Sequence, residues 1–108
     1  MMYISFDEFS RLRLRIAKIK EATLHPNADK LYVLKADLGD REVQLVAGIR
    51  KTYACEELVG KQIVVLENLE PKALRGVESQ GMLLAASDDQ GPVLLVPEKE
   101  VAVGSSIA

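Results

Sequence analysis

Two short segments hold most of the side chains able to do chemistry. In Pro26-Asn27-Ala28-Asp29-Lys30 an amide, a carboxylate and an ammonium fall within one turn. That set suits contacts to phosphate and ribose, Lys30 supplying charge and Asn27 direction, although polar turns also exist simply to turn the chain. The second segment runs through Lys72-Ala73-Leu74-Arg75-Gly76 to Ser79-Gln80-Gly81-Met82. There the planar fork of Arg75 could grip a phosphate, Ser79 could bond a ribose or phosphate, and Met82 could offer a soft apolar surface to a base. The competing readings are a solvated arginine, a turn-forming serine and a core methionine. A third set, Arg11, Arg13, Arg15, Lys18 and Lys20, has no acidic residue among it; it is either a basic stripe or the wet side of a strand.

Catalysis finds little to work with. His25 is the single histidine and Cys55 the single cysteine, so neither a Cys/His zinc site nor an internal disulfide can form. His25 has no evident nucleophile to serve, and Cys55 sits among apolar neighbours where packing explains it. No glycine motif of the nucleotide-binding kinds occurs. The sequence therefore argues against an enzyme and calls for no cofactor or metal.

The elements that must position these residues are legible in the pattern. The 108 residues, 48% hydrophobic and 28% charged, are enough for one packed domain and too few for two. No run approaches the roughly 20 apolar residues of a membrane span, and no secretory leader is visible, so a cytoplasmic protein without a membrane partner is expected. The net charge of −2 speaks against a general nucleic-acid glue.

Ser5 with Glu8 three residues later forms a capping box, predicting a helix over Ser5–Arg11. Alternation from Leu12 predicts a long strand. Its apolar residues shift from even to odd positions after Ile16, a slip that a β-bulge would absorb. His25–Lys30 is the first loop. Leu31–Leu38 and Glu42–Ala47 predict a hairpin pair of strands about Gly39-Asp40. Thr52–Leu58 predicts a short helix with Thr52 as cap, Gln62–Leu66 a fourth strand, Asn68–Gly81 a long loop, and Met82–Ala86 a fifth strand. Val93–Val96 is one further apolar run. Three strands, a helix and two strands is the order of an OB-fold, an all-β, five-stranded Greek-key barrel whose ligands lie over strands two and three and the loops between strands one and two and strands four and five. Those loops here are His25–Lys30 and Asn68–Gly81.

At the same two loops the sequence takes on a likeness. HPNADKLYVLKADLG (His25–Gly39), LVAGIRKTYACEELVGKQIVVLENLEPK (Leu45–Lys72) and LRGVESQGMLLAA (Leu74–Ala86) resemble the tRNA-binding domain family found at the C-terminus of many methionyl-tRNA synthetases. The opening MYISFDEF (Met2–Phe9) is similar to that of the family's stand-alone form, often called the beta subunit. The resemblance implies an OB-fold that binds folded tRNA at Asn27, Lys30, Arg75, Ser79 and Met82. It further implies a homodimer built on elements added at both ends, here Met2–Leu12 and the region from about Val93 onward. A family glycine in strand one is replaced by Ala17, which bears on the expected bulge.

The expected function is a non-catalytic module that captures tRNA by shape and backbone and assists methionyl-tRNA synthetase in cis or in trans. Of the five aromatic residues, Tyr32 alone lies on the binding strands, and binders of single strands need several stacking platforms. The alternative, from the same extended family, is an export-related chaperone that binds unfolded polypeptides through a dimeric OB-fold.

Overall fold

The computed structural model describes every residue from Met1 to Ala108. Helix α1 (Phe6–Ser10) begins where the capping box places it: the Ser5 hydroxyl accepts the Glu8 N–H at 3.0 Å and the Glu8 carboxylate accepts the Ser5 N–H at 3.0 Å. Strand β1 (Leu14–Leu24) then runs the height of the molecule, followed by β2 (Tyr32–Asp37) and β3 (Glu42–Ala47). β2 and β3 pair antiparallel from Tyr32 opposite Ala47 to Asp37 opposite Glu42. Their alternation does what a period of two dictates, burying Tyr32, Leu34 and Ala36 against Val43, Leu45 and Ala47.

Helix α2 (Cys55–Leu58) buries Leu58 beneath the barrel and leads into β4 (Gln62–Leu66). β4 returns not to β3 but to β1, with Leu14 opposite Leu66 and Lys18 opposite Gln62. The sheet order β3-β2-β1-β4 continues to β7 (Met82–Leu83), after the hairpin β5 (Lys72–Leu74) and β6 (Val77–Ser79). Bonds from Gln80 N to Gln44 O (2.7 Å) and from Val46 N to the Ser79 hydroxyl (3.0 Å) carry the segment before β7 across to β3 and nearly close the barrel. This is the OB-fold. Gly81, at φ 144°, passes so near β4 that a Cβ would lie 2.8 Å from the Leu66 carbonyl oxygen, a position open to glycine alone.

A hairpin of β8 (Ala85–Asp88) and β9 (Gly91–Leu94) follows, and β10 (Ser106–Ile107) lies beside the start of β1. α1 and β10 are thus the added terminal elements. One mouth of the barrel is held by charge: the Arg15 guanidinium meets Glu67 at 2.7 Å and Asp40 at 3.3 Å, and Arg13 also reaches Glu67 at 3.3 Å. The Glu67 hydrogen bond holds Arg15 above the ordinary arginine value, against the opposing pull of burial.

Four expectations need correction. The slip after Ile16 is not a bulge, because pairing with β4 is regular through Lys18; Ile16 and Ala17 are both buried, so both faces of β1 are covered there. The irregularity falls between Ile19 and Glu21, and Ala17 fits an ordinary strand backbone. Thr52 does not cap α2. Ala54 holds that place with its N–H on the Glu57 carboxylate at 2.7 Å, while the Thr52 hydroxyl donates to Pro92 O. The long loop Asn68–Gly81 contains the β5–β6 hairpin, and the strand expected at Met82–Ala86 is divided, β7 joining β4 and β8 turning away to β9. The Val93–Val96 run needs no correction: Leu94 enters the core, and Val93, Leu95 and Val96 stay exposed in the region expected to meet a second copy.

Candidate nucleic-acid interface

The end of β1 and the tip of the β5–β6 hairpin meet, and His25 is what joins them. The residue is 6% exposed. Nδ1 accepts the Asn27 N–H at 2.9 Å, so Nε2 carries the proton and donates to the Leu74 carbonyl at 2.9 Å. Both nitrogens are therefore spent on structure. The histidine is a strut between the two loops and has nothing left for a metal or a proton relay.

The hairpin turns on Arg75 and Gly76, at φ 53° and 88°. Two successive positive φ values give the tight turn whose twist matches the flanking strands, a turn that favours Asn-Gly. Arg75 is the sole non-glycine residue with positive φ in the chain, and strained backbone of this kind gathers at binding sites. The turn and the first loop bond reciprocally: Asn27 Nδ2 donates to Arg75 O at 3.2 Å, and an Arg75 guanidinium nitrogen donates to Asn27 O at 3.3 Å.

Between them lies an open cleft of about 410 Å³ lined by Asn27, Ala28, Asp29, Lys30, Leu31 and Arg75. Arg50, from the loop after β3, braces its far side by donating to Asp29 O at 2.5 Å. The ion pairs of the protein gather Arg13, Arg15 and Arg41 around Glu67 at the other mouth. Lys30 and Arg75 take part in none of them and stay free for an anion.

The structure brings together Asn27, Lys30 and Arg75. Ser79 and Met82 lie elsewhere. Ser79 is buried, its hydroxyl accepting from Val46 N and donating to Gly81 O at 3.0 Å, a task that fixes β6 to β3. Met82 is exposed on β7 opposite Leu66, which itself faces Leu14 at the start of β1, far from the His25 loop. Arg11, Arg13 and Arg15 line a separate groove with Asp40 and Gly104 at that other mouth. Arg50 was missed by the sequence reading. Its only signal is the adjacent pair Arg50-Lys51, which gains meaning once Asp29 is known to be beside it.

The family described as "Putative tRNA binding domain" matches residues 14–106. The chain belongs to that family. Among curated relatives, the methionine–tRNA ligase of Thermococcus kodakarensis is 61% identical over 107 residues, a match that covers 99% of this chain and 14% of the relative. The chain thus spans a small part of the length of the curated relatives it matches. Solved structures match over their full length as well. A MetRS-related protein from Pyrococcus horikoshii superposes with TM-score 0.92 at 36% identity, covering 100% of both chains. The chaperone CsaA from Bacillus anthracis superposes with TM-score 0.89 at 32% identity, covering 99% of this chain and 100% of that one.

Proposed function

We propose that this tRNA-binding domain holds folded tRNA by its shape and phosphate backbone and assists methionyl-tRNA synthetase, in cis or in trans, without catalysing a reaction itself. The observation that carries the reading is the reciprocal Asn27–Arg75 bonding, which holds Arg75 over the cleft that Lys30 also lines, neither cation being in an ion pair. Cations held this way neutralise phosphates and release counterions, the largest sequence-independent source of affinity. Tyr32 is buried and its hydroxyl donates to Tyr53 O at 2.8 Å, so the site lacks a stacking platform and favours a folded RNA over a single strand. A module of this kind raises the effective concentration of tRNA at a synthetase active site, which places its work in the cytoplasm with a catalytic methionyl-tRNA synthetase chain as second partner.

The protein acts as a homodimer in this reading. Met2, Tyr3, Ile4 and Phe6 lie bare beside the barrel, and Leu95 and Val96 are exposed as well; a second copy would cover such a surface. Filter binding to bulk tRNA at low salt tests the site: Lys30→Gln combined with Arg75→Gln should weaken binding at least tenfold while the sedimentation of the dimer stays the same. Unchanged affinity would remove the cleft from the proposal.

The likeness to CsaA favours one other reading, a chaperone that binds unfolded polypeptide. A competition assay separates them. Denatured protein that stays bound in excess tRNA supports the chaperone, and denatured protein displaced by tRNA supports the RNA reading.

A further inference from the structure

We propose that the RNA path does not end at Lys30 but crosses the Asp29-Lys30 turn into a second cleft, where Arg50 and Lys51 hold a further phosphate. The inference rests on the tRNA reading and extends it to residues outside the two loops that first drew attention. The second cleft, of about 410 Å³, is lined by Asp29, Lys30, Gly48, Arg50, Lys51 and Pro92. Asp29 and Lys30 line the first cleft too, so the two share a wall and Lys30 stands between them.

Charge and support both mark the cleft as an anion site. Three cations face one carboxylate there, and none of the three enters an ion pair, whereas the cations at the opposite mouth are drawn to Glu67. Arg50 is already oriented: one nitrogen donates to Asp29 O at 2.5 Å, which leaves donors of the same planar fork for a phosphate oxygen. Lys51 runs close to Gly91, where an added Cβ would lie 3.2 Å from its Cδ. The far wall is tied down because the Thr52 hydroxyl donates to Pro92 O at 2.5 Å. A phosphate entering here meets side chains whose direction is largely set before binding, and less ordering is then needed on contact.

The test is a salt titration of bulk tRNA binding to the full chain, by fluorescence anisotropy, with Lys51→Gln, Arg50→Gln, Arg50→Lys and the double glutamine variant. Lys99→Gln, on the segment after Pro97, serves as control. Each glutamine should weaken binding roughly three- to tenfold at low salt and lower the slope of log K against log salt by about 0.7 to 0.9, the contribution of one phosphate. Arg50→Lys should keep the slope, which separates charge from the brace on Asp29. The control should match the parent protein.

Parental affinity and slope in Lys51→Gln and the double variant, while Lys30→Gln still weakens binding, would overturn the second cleft and leave the first intact. If Lys30→Gln and Arg75→Gln are silent as well, the tRNA site itself fails. Loss of binding to an acidic polypeptide with tRNA binding preserved would assign the cleft to a protein partner and overturn the proposal.

Discussion

Arg75 lets conformation and charge be separated in one substitution. Arginine at φ 53° lies in left-handed backbone that disfavours a residue with a Cβ by about 1 kcal/mol, whereas asparagine tolerates it and suits this turn. Arg75→Asn therefore relieves strain and loses one exposed hydrogen bond, the 3.3 Å contact to Asn27 O, worth about 0.5 to 1 kcal/mol. The two nearly cancel. The bond from Asn27 Nδ2 to the residue 75 carbonyl survives, because it uses backbone. Thermal unfolding should then change by no more than about 4 °C, since about 1 kcal/mol moves a domain of this size by 4 to 8 °C. Binding should behave differently. Loss of one phosphate contact of about 1 to 2 kcal/mol lowers tRNA affinity roughly five- to thirtyfold and the salt slope by about 0.9. Calorimetry and filter binding on the same preparation report both numbers. Unaltered affinity would refute the role of Arg75, and a fall of more than about 10 °C would refute the account of the turn.

Three other outcomes are expected. His25→Ala leaves the Asn27 N–H and the Leu74 carbonyl without partners and should cost about 2 kcal/mol; hydrogen exchange at Asn27 should quicken more than in β1 to β4, and tRNA affinity should fall although His25 has no free atom for RNA. Glu67→Gln removes the carboxylate that Arg15 meets at 2.7 Å and should destabilise the fold by about 2 kcal/mol in urea, less than a deeply buried pair because this one opens to solvent at the barrel mouth. Burial raises the Tyr32 phenol above the ordinary tyrosine value. The unfolded chain gives up that proton near pH 10 while the folded chain keeps it, so stability should fall as pH rises beyond about 10. Tyr32→Phe should flatten that part of the urea midpoint profile.

Strands with a single wet face were readable in the sequence. β2 and β3 alternate because one side packs inward, and the Ser5/Glu8 cap is a local signal that needs no tertiary partner. Where burial comes from distant chain, the pattern misleads. Ile16 and Ala17 are both covered, so the alternation breaks while the pairing does not. The β5–β6 hairpin was hidden because its strands are three residues each and its turn carries arginine in place of asparagine. Asn27, Lys30, Arg75, Ser79 and Met82 stood out by residue type, and the fold brings the first three of them together. That Ser79 would be buried and Met82 turned toward the far end depends on how the chain crosses from β3 to β4 at Gly81, where nothing local records the crossing. The brace from Arg50 to Asp29 is likewise a contact between two loops, visible only once β1, β2 and β3 are folded.

The central claim concerns place: RNA meets the end of the barrel where His25 ties two loops together. Amide shift mapping of isotope-labelled protein during titration with bulk tRNA measures this directly. The largest shifts should fall at Asn27, Lys30, Arg75 and Gly76, with Arg50 and Lys51 next. Shifts concentrated instead at Arg11, Arg13, Arg15 and Gly104, around the opposite mouth, would contradict it.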